Sequence, residues 1–166
     1  MARDLTHTIT YPKPMARAWS DLCDPAFHEA KLADAGARNA QVSVAVADDG
    51  TAEVVLERDN PVTGLPSAVT RIIGDSAHVI ERISWSAPQD PDGHRVAQHV
   101  TEFVGAPLSM TGTLTLAPAG EVTTLTLATV GRASVPLVGG KLEQSAVDQT
   151  VHAMHAEEAF SGRWPG

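Results

Sequence analysis

Three polar residues interrupt the apolar side of the last long segment of this chain. Glu143, Thr150 and Glu157 recur at heptad spacing. At about 100° per residue they fall near the middle of a helical side otherwise built from Leu142, Ala146, Val147, Val151, Ala153, Met154 and Phe160. A carboxylate in such a place needs a partner or water, because an unpaired buried charge is costly. Two readings stay open. In one, Glu143 and Thr150 look into a ligand cavity and bind the ligand's polar end, with Val147 and Met154 beside them. In the other, they pair with Arg or Thr side chains of facing strands, or the helix is displaced and they meet solvent.

The strands offer further candidates. Trp85 closes an alternating segment, where it either lines a pocket or fills the core. Met110 shares a strand face with Leu114 and Leu116. Of His78 and His99, both in strands, one is placed to face a cavity. Arg58, Arg71, Arg82 and Arg95 suit an anionic ligand or pairing with Glu. Other chemistry lacks its pattern. His152 and His155 are three apart, a spacing that can share a metal, but they lie on the polar side and the zinc-protease Glu beside the first His is absent. Cys23 is the single cysteine, so no intrachain disulfide forms, and no His or basic neighbour activates it. There is no Gly-x-Ser-x-Gly elbow and no phosphate loop. No metal, cofactor or catalytic motif is expected.

These residues need elements to hold them. No Gly or Pro interrupts Lys141 to Ser161, which predicts a helix of roughly five to six turns entered through a hinge at Gly139-Gly140. Leu5–Tyr11 alternates and reads as a first strand. Met15, Trp19 and Leu22 share one face of a short helix. A second helix runs from about Pro25 to Ala35, with Asp24 as its cap and Gly36 as its stop. From Gln41 the period changes to two. A hairpin turn at Asp48-Asp-Gly-Thr leads to Ala52–Arg58. Asn60–Pro66 is loop, and Ala68–Ile73 is either helix or strand. Strands follow at His78–Trp85, Arg95–Val104, Ser109–Leu116 and Val122–Val130, with Gly105–Pro107 read as a bulge and Pro118–Gly120 as a turn. The class is α+β: a curved antiparallel sheet of about seven strands, two short helices after the first strand, and one long C-terminal helix on the concave face.

The chain of 166 residues suits one domain over 1–166 with a sizeable core. Its net charge of −8 and lack of any Lys/Arg run argue against nucleic-acid binding. No apolar run reaches membrane-spanning length, and the start, Met1-Ala-Arg-Asp-Leu5, carries no apolar leader core. A cytoplasmic location is the expectation. Oligomeric state is left open.

The element order resembles the helix-grip, or START-like (SRPBCC), superfamily, which includes Bet v 1-like proteins, polyketide cyclases and lipid-transfer domains. Asp24-Pro-Ala-Phe-His28, Ala35-Gly-Ala-Arg-Asn39, Gly105-Ala-Pro107, Thr111-Gly-Thr-Leu-Thr-Leu116 and Val135-Pro-Leu-Val-Gly-Gly-Lys-Leu-Glu143 together resemble the uncharacterised actinobacterial domain-of-unknown-function family 2505 of that superfamily. The resemblance implies a cavity between sheet and helix holding an apolar or amphipathic small molecule, lipid- or polyketide-like. A cyclase, aromatase or hydrolase using a cavity acid or base is one alternative, and a protein-interaction module with a packed interior is another.

Overall fold

The structure is a computed structural model that describes residues 2–62 and 65–165. The elements in order are β1 (Ala2–Tyr11), α1 (Met15–Leu22), α2 (Pro25–Asp34), β2 (Arg38–Val46), β3 (Ala52–Pro61), α3 (Ser67–Ile73), β4 (Ser76–Trp85), β5 (Arg95–Val104), β6 (Leu108–Ala119), β7 (Val122–Ala133) and α4 (Gly139–Arg163). The strands form one seven-stranded sheet in the order β1-β7-β6-β5-β4-β3-β2, with every neighbouring pair antiparallel. This is the helix-grip architecture. The loop expected over Asn60–Pro66 lies partly outside the described residues, at Thr63 and Gly64. Pro61 belongs to β3, and Pro66 immediately precedes α3.

Period-two burial defines the two faces. On the inner face of β7, Thr123, Leu125, Leu127 and Thr129 are buried. Ala52, Val54 and Leu56 of β3 and Val79, Ile83 and Trp85 of β4 face the same way. Local chemistry explains the short helices. The Asp24 carboxylate accepts from the Ala26 N–H at 2.9 Å, satisfying a free donor at the start of α2. Gly36 takes φ +83° and lets Ala37 N–H reach back to the Leu32 carbonyl at 3.0 Å, which ends α2.

Two local expectations change, and one open alternative is settled. Gly105–Pro107 is a full reversal rather than a bulge, since β5 and β6 pair antiparallel on either side. Gly105 supplies φ +80°, and Ala106 N–H closes on the Phe103 carbonyl at 3.1 Å. Gly139 and Gly140 are the first residues of α4, not a hinge before it. The change of direction falls on Val135–Val138, where Leu137 adopts φ +70°. Ala68–Ile73 resolves as helix. Pro66 pre-sets its start, and Val69 is its fully buried anchor.

Placement of the helices sets up the site. α4 lies along β1 and β7, and its Glu158 carboxylate accepts from the Thr10 N–H of edge strand β1 at 2.7 Å. α2 lies against β2, at the opposite edge. The α1–α2 pair therefore carries the chain from one edge of the sheet to the other. The inner face of β3–β6 sits between the two helical supports.

Gly112 of β6 is fixed by its neighbours. A Cβ there would lie 2.0 Å from the Ala128 carbonyl oxygen of β7, a backbone atom that cannot rotate away. At Gly131 the nearest atoms to an added Cβ are 3.8 Å away. Gly112→Ala is expected to lower stability by about 1–3 kcal/mol, because the two strands must separate. Gly131→Ala is expected to change it by less than about 1 kcal/mol. Urea midpoints of the two variants check this, and equal midpoints would refute the close approach of β6 and β7.

Candidate functional site

Strand alternation puts three ionisable side chains on the inner face at mid-sheet. Arg58 follows Ala52, Val54 and Leu56 on β3. Glu81 lies between Val79 and Ile83 on β4, and His99 lies between Ala97 and Thr101 on β5. Cross-strand register aligns Glu81 with Leu56 and Thr101, so Arg58 and His99 are its diagonal neighbours. The Arg58 Nη1 donates to Glu81 Oε1 at 3.0 Å, and His99 Nε2 lies 2.7 Å from Glu81 Oε2. An ionised carboxylate only accepts, so Nε2 carries the proton in this contact. His99 is 5% exposed, and its Nδ1 is buried with no partner among the described residues.

A second polar group faces this one from the helices. Glu157 of α4 accepts from Lys31 Nζ of α2 at 2.6 Å and from the Tyr11 hydroxyl of β1. Next to it on α2, His28 is buried and its Nε2 lies 2.8 Å from the Leu22 carbonyl. Glu157 thus ties the long helix to both the first strand and the second helix.

Electrostatics hold these carboxylates ionised. Burial pushes the Glu81 carboxyl up, but the Arg58 charge and the His99 hydrogen bond outweigh it and keep Glu81 well below the usual carboxylate range. Burial likewise raises Glu157, while Lys31 and the Tyr11 hydroxyl bring it below its ordinary value. Tyr11 moves well up, through burial first and then the neighbouring Glu157 charge. His28 is lowered to about 4, chiefly by burial and then by the Lys31 charge. Yet these interior side chains retain accessible surface: 21% for Glu81, 16% for Glu157, 13% for Lys31 and 12% for Arg58. Glu81 and Glu157 are thus strongly desolvated yet keep part of their surface accessible.

The residues singled out in the sequence fall in two places. Glu143, Val147, Thr150 and Met110 come together under the first half of α4. Glu143 is fully buried; its Oε2 accepts from the Ala133 N–H at 3.0 Å, and its Oε1 has no partner among the described residues. Thr150 Oγ1 donates to the Ala146 carbonyl at 2.7 Å and sits 3.3 Å from the Met110 sulfur. Val147 and Met110 share a cluster with Leu142, Ala146 and Leu108. Met154 and Trp85 belong to the larger cluster, where Trp85 meets Trp19 edge-on at 5.7 Å. Arg95 stacks 3.6 Å above Trp19 and donates to the Gly50 and Ser86 carbonyls, a structural setting. His78 turns outward between Asp59 and Glu57, each at 2.7 Å. His152 and His155 are exposed on α4. A metal-compatible trio, Asp90, Asp92 and His94, lies in the β4–β5 loop, with both aspartates exposed.

Sequence reasoning passed over Glu81, Lys31 and Tyr11. The available signal was period two: Glu81 alternates with Val79, Ile83 and Trp85, and Arg58 continues Ala52, Val54 and Leu56. Two surface cavities flank α3, a groove of 380 Å³ along α4 lined by Leu65, Lys141 and Asp148, and a smaller one of 40 Å³ beside Phe103. None of the seven residues Glu143, Thr150, Val147, Met154, Trp85, Met110 and His99 lines either.

Residues 6–164 match the family described as protein of unknown function (DUF2505). The chain belongs to the DUF2505 family. Among its relatives in sequence is the uncharacterized protein Rv0481c of Mycobacterium tuberculosis, 29% identical over 119 residues, 70% of this chain and 67% of that protein. The DUF2505 fold is similar to a START superfamily protein from Mycobacterium smegmatis, with a TM-score of 0.58, 14% identity and coverage of 96% of this chain and 97% of that one. It is also similar to norcoclaurine synthase from Thalictrum flavum, solved with dopamine and hydroxybenzaldehyde, with a TM-score of 0.55, 13% identity and coverage of 97% and 85%. At such identities the likeness establishes the fold alone. No helix is long and apolar enough to cross a membrane among the described residues.

The buried groups predict the pH dependence of stability. His28 is held down to about 4 from an ordinary 6.5, so between those values the unfolded chain binds a proton that the native chain refuses. Stability should fall as pH drops through that window, by on the order of 3 kcal/mol. Glu81 and Glu157, lowered in the native state, contribute stability above the ordinary 4.5 that is lost as pH falls further. Urea unfolding from pH 8 to pH 3 measures both phases. A flat profile between pH 7 and pH 4 would contradict the buried, neutral His28.

Proposed function

We propose that this DUF2505 protein binds an apolar or amphipathic small molecule, lipid- or polyketide-like, on the inner face of the sheet beneath α4. The observation that carries the reading is the accessible surface left on interior charged residues, above all Glu81 at 21%. A solidly packed interior has no reason to place Arg58, Glu81 and His99 in its middle, since desolvating charges opposes folding. A ligand with an apolar body and a polar end suits such a place, because small-molecule sites are mostly apolar with a few placed polar groups. Leu56, Leu114 and Met154 offer apolar walls. On the helix we assign Val147, Thr150 and Glu143 to the lining, and on the sheet Met110, Trp85 and His99. The binding habit of the START-like fold supports the same choice.

A second reading has its own observation. His99 held by Glu81, which is held by Arg58, is the arrangement of an oriented acid–base imidazole. The norcoclaurine synthase likeness shows that an enzyme can be built on this fold. Under that reading the bound molecule leaves chemically altered when protein is supplied in catalytic amounts.

Native mass spectrometry of protein purified from its own host tests the binding proposal. The expected result is a stoichiometric small molecule, released on denaturation and identified as amphipathic. A clean apo mass, with no thermal shift across a panel of lipids and aromatic polyketides, would overturn the proposal and favour a protein-interaction role.

A further inference from the structure

The inner face carries a strip with a missing side chain. His99 of β5 pairs with Gly112 of β6, and Gly112 pairs with Thr129 of β7. His99 and Thr129 are therefore two strand spacings apart, ~10 Å between Cα atoms, with no side chain between them. The gap is enforced, because the Ala128 carbonyl excludes even a methyl group at Gly112. Both flanking residues are buried, at 5% and 3% exposure. Each leaves one polar atom, His99 Nδ1 and Thr129 Oγ1, buried with no partner among the described residues. Buried polar atoms without partners are rare, since each forfeits its hydration for nothing. Two of them bordering one enforced gap call for a common partner.

The geometry points to this gap as the subsite for a hydroxyl group, alcoholic or phenolic, on the ligand whose binding is proposed above. We infer that the ligand hydroxyl donates to His99 Nδ1 and accepts from Thr129 Oγ1. Glu81 determines the direction of the first bond. Its carboxylate accepts from the Nε2 N–H, and with the ring's one proton on Nε2 the Nδ1 atom is the lone-pair acceptor. Arg58 holds Glu81 in place for that role. Thr129 donates or accepts by rotating its hydroxyl. The same strip discriminates against an apolar end, which would leave both atoms unpaired, and against an ether, which has no proton for Nδ1.

This inference rests on the binding proposal, and the experiment separates the two. The probes are 2-naphthol and its methyl ether, titrated by calorimetry against the intact chain and two variants. Thr129→Val removes the hydroxyl at nearly constant shape. His99→Gln keeps an amide N–H for Glu81 and removes the Nδ1 acceptor. Wild type is expected to bind 2-naphthol about tenfold more tightly than the ether, with the preference falling to about twofold or less in either variant. Both variants should fold, with Thr129→Val no less stable than wild type, because it removes an unpaired buried hydroxyl. Equal binding of the two probes to wild type and variants would overturn the hydroxyl subsite and leave the cavity reading intact. No binding of either probe to wild type would overturn the hydroxyl subsite, and the native mass and ligand-panel measurements above decide the binding proposal separately.

Discussion

An ionised carboxylate at the centre of a β-sheet's concave face is a demanding thing to keep. Glu81 stays charged only because Arg58 reaches one of its oxygens and His99 the other. Breaking such a buried arrangement by removing one member costs more than the intact arrangement contributes, because the remaining charge is stranded. Three adjacent strands must therefore keep their register for this one group. The same demand recurs at Glu157, where Lys31 and Tyr11 make α4 dependent on α2 and β1. Strands are joined to one another at Glu81, and helices to the sheet at Glu157, as well as by hydrophobic burial.

The hydrophobic core is divided accordingly. A larger cluster runs from α1 and α2 across the sheet to Met154 and Phe160, where Phe27, Phe160 and Trp164 lie ring against ring. A smaller cluster sits under α3 and the first turns of α4, around Met110, Leu142 and Val147. The charged residues come between helical supports that rest on opposite edges of the sheet. A sheet curved enough to do this needs close strand contacts somewhere, and Gly112 against Ala128 is one.

Elements were far more legible in the sequence than the site. Period-two runs of Val and Thr mark the strands, the unbroken stretch before Ser161 marks α4, and Asp24-Pro25 marks the start of α2. These are local signals, and local physics fixes them. Turn character was harder: Gly105–Pro107 is short enough to suit a bulge, and only the pairing of β5 with β6 makes it a reversal. Glu143 was legible as a buried carboxylate, because helical spacing shows which side it occupies. Its partner, the Ala133 N–H, was not, because spacing within a helix says nothing about the strand it meets. The group around Glu81 draws on β3, β4 and β5, and no window of sequence holds all three residues. Alternation alone does aim Arg58, Glu81 and His99 at the same face. It cannot tell that they touch, since that depends on strand register, which is set by turns and bulges elsewhere.

The carboxylate of Glu158 on the Thr10 amide bears on how these molecules meet one another. An exposed strand edge is a template for another chain, and open-ended stacking needs two such edges on every molecule. Here a strand approaching β1 finds the Thr10 donor already taken and a helix lying along its path. The opposite edge, β2, is interrupted by a register shift between Arg38 and Gln41. Strand-to-strand growth that entered by β2 would therefore meet an obstruction at the Thr10 end of β1.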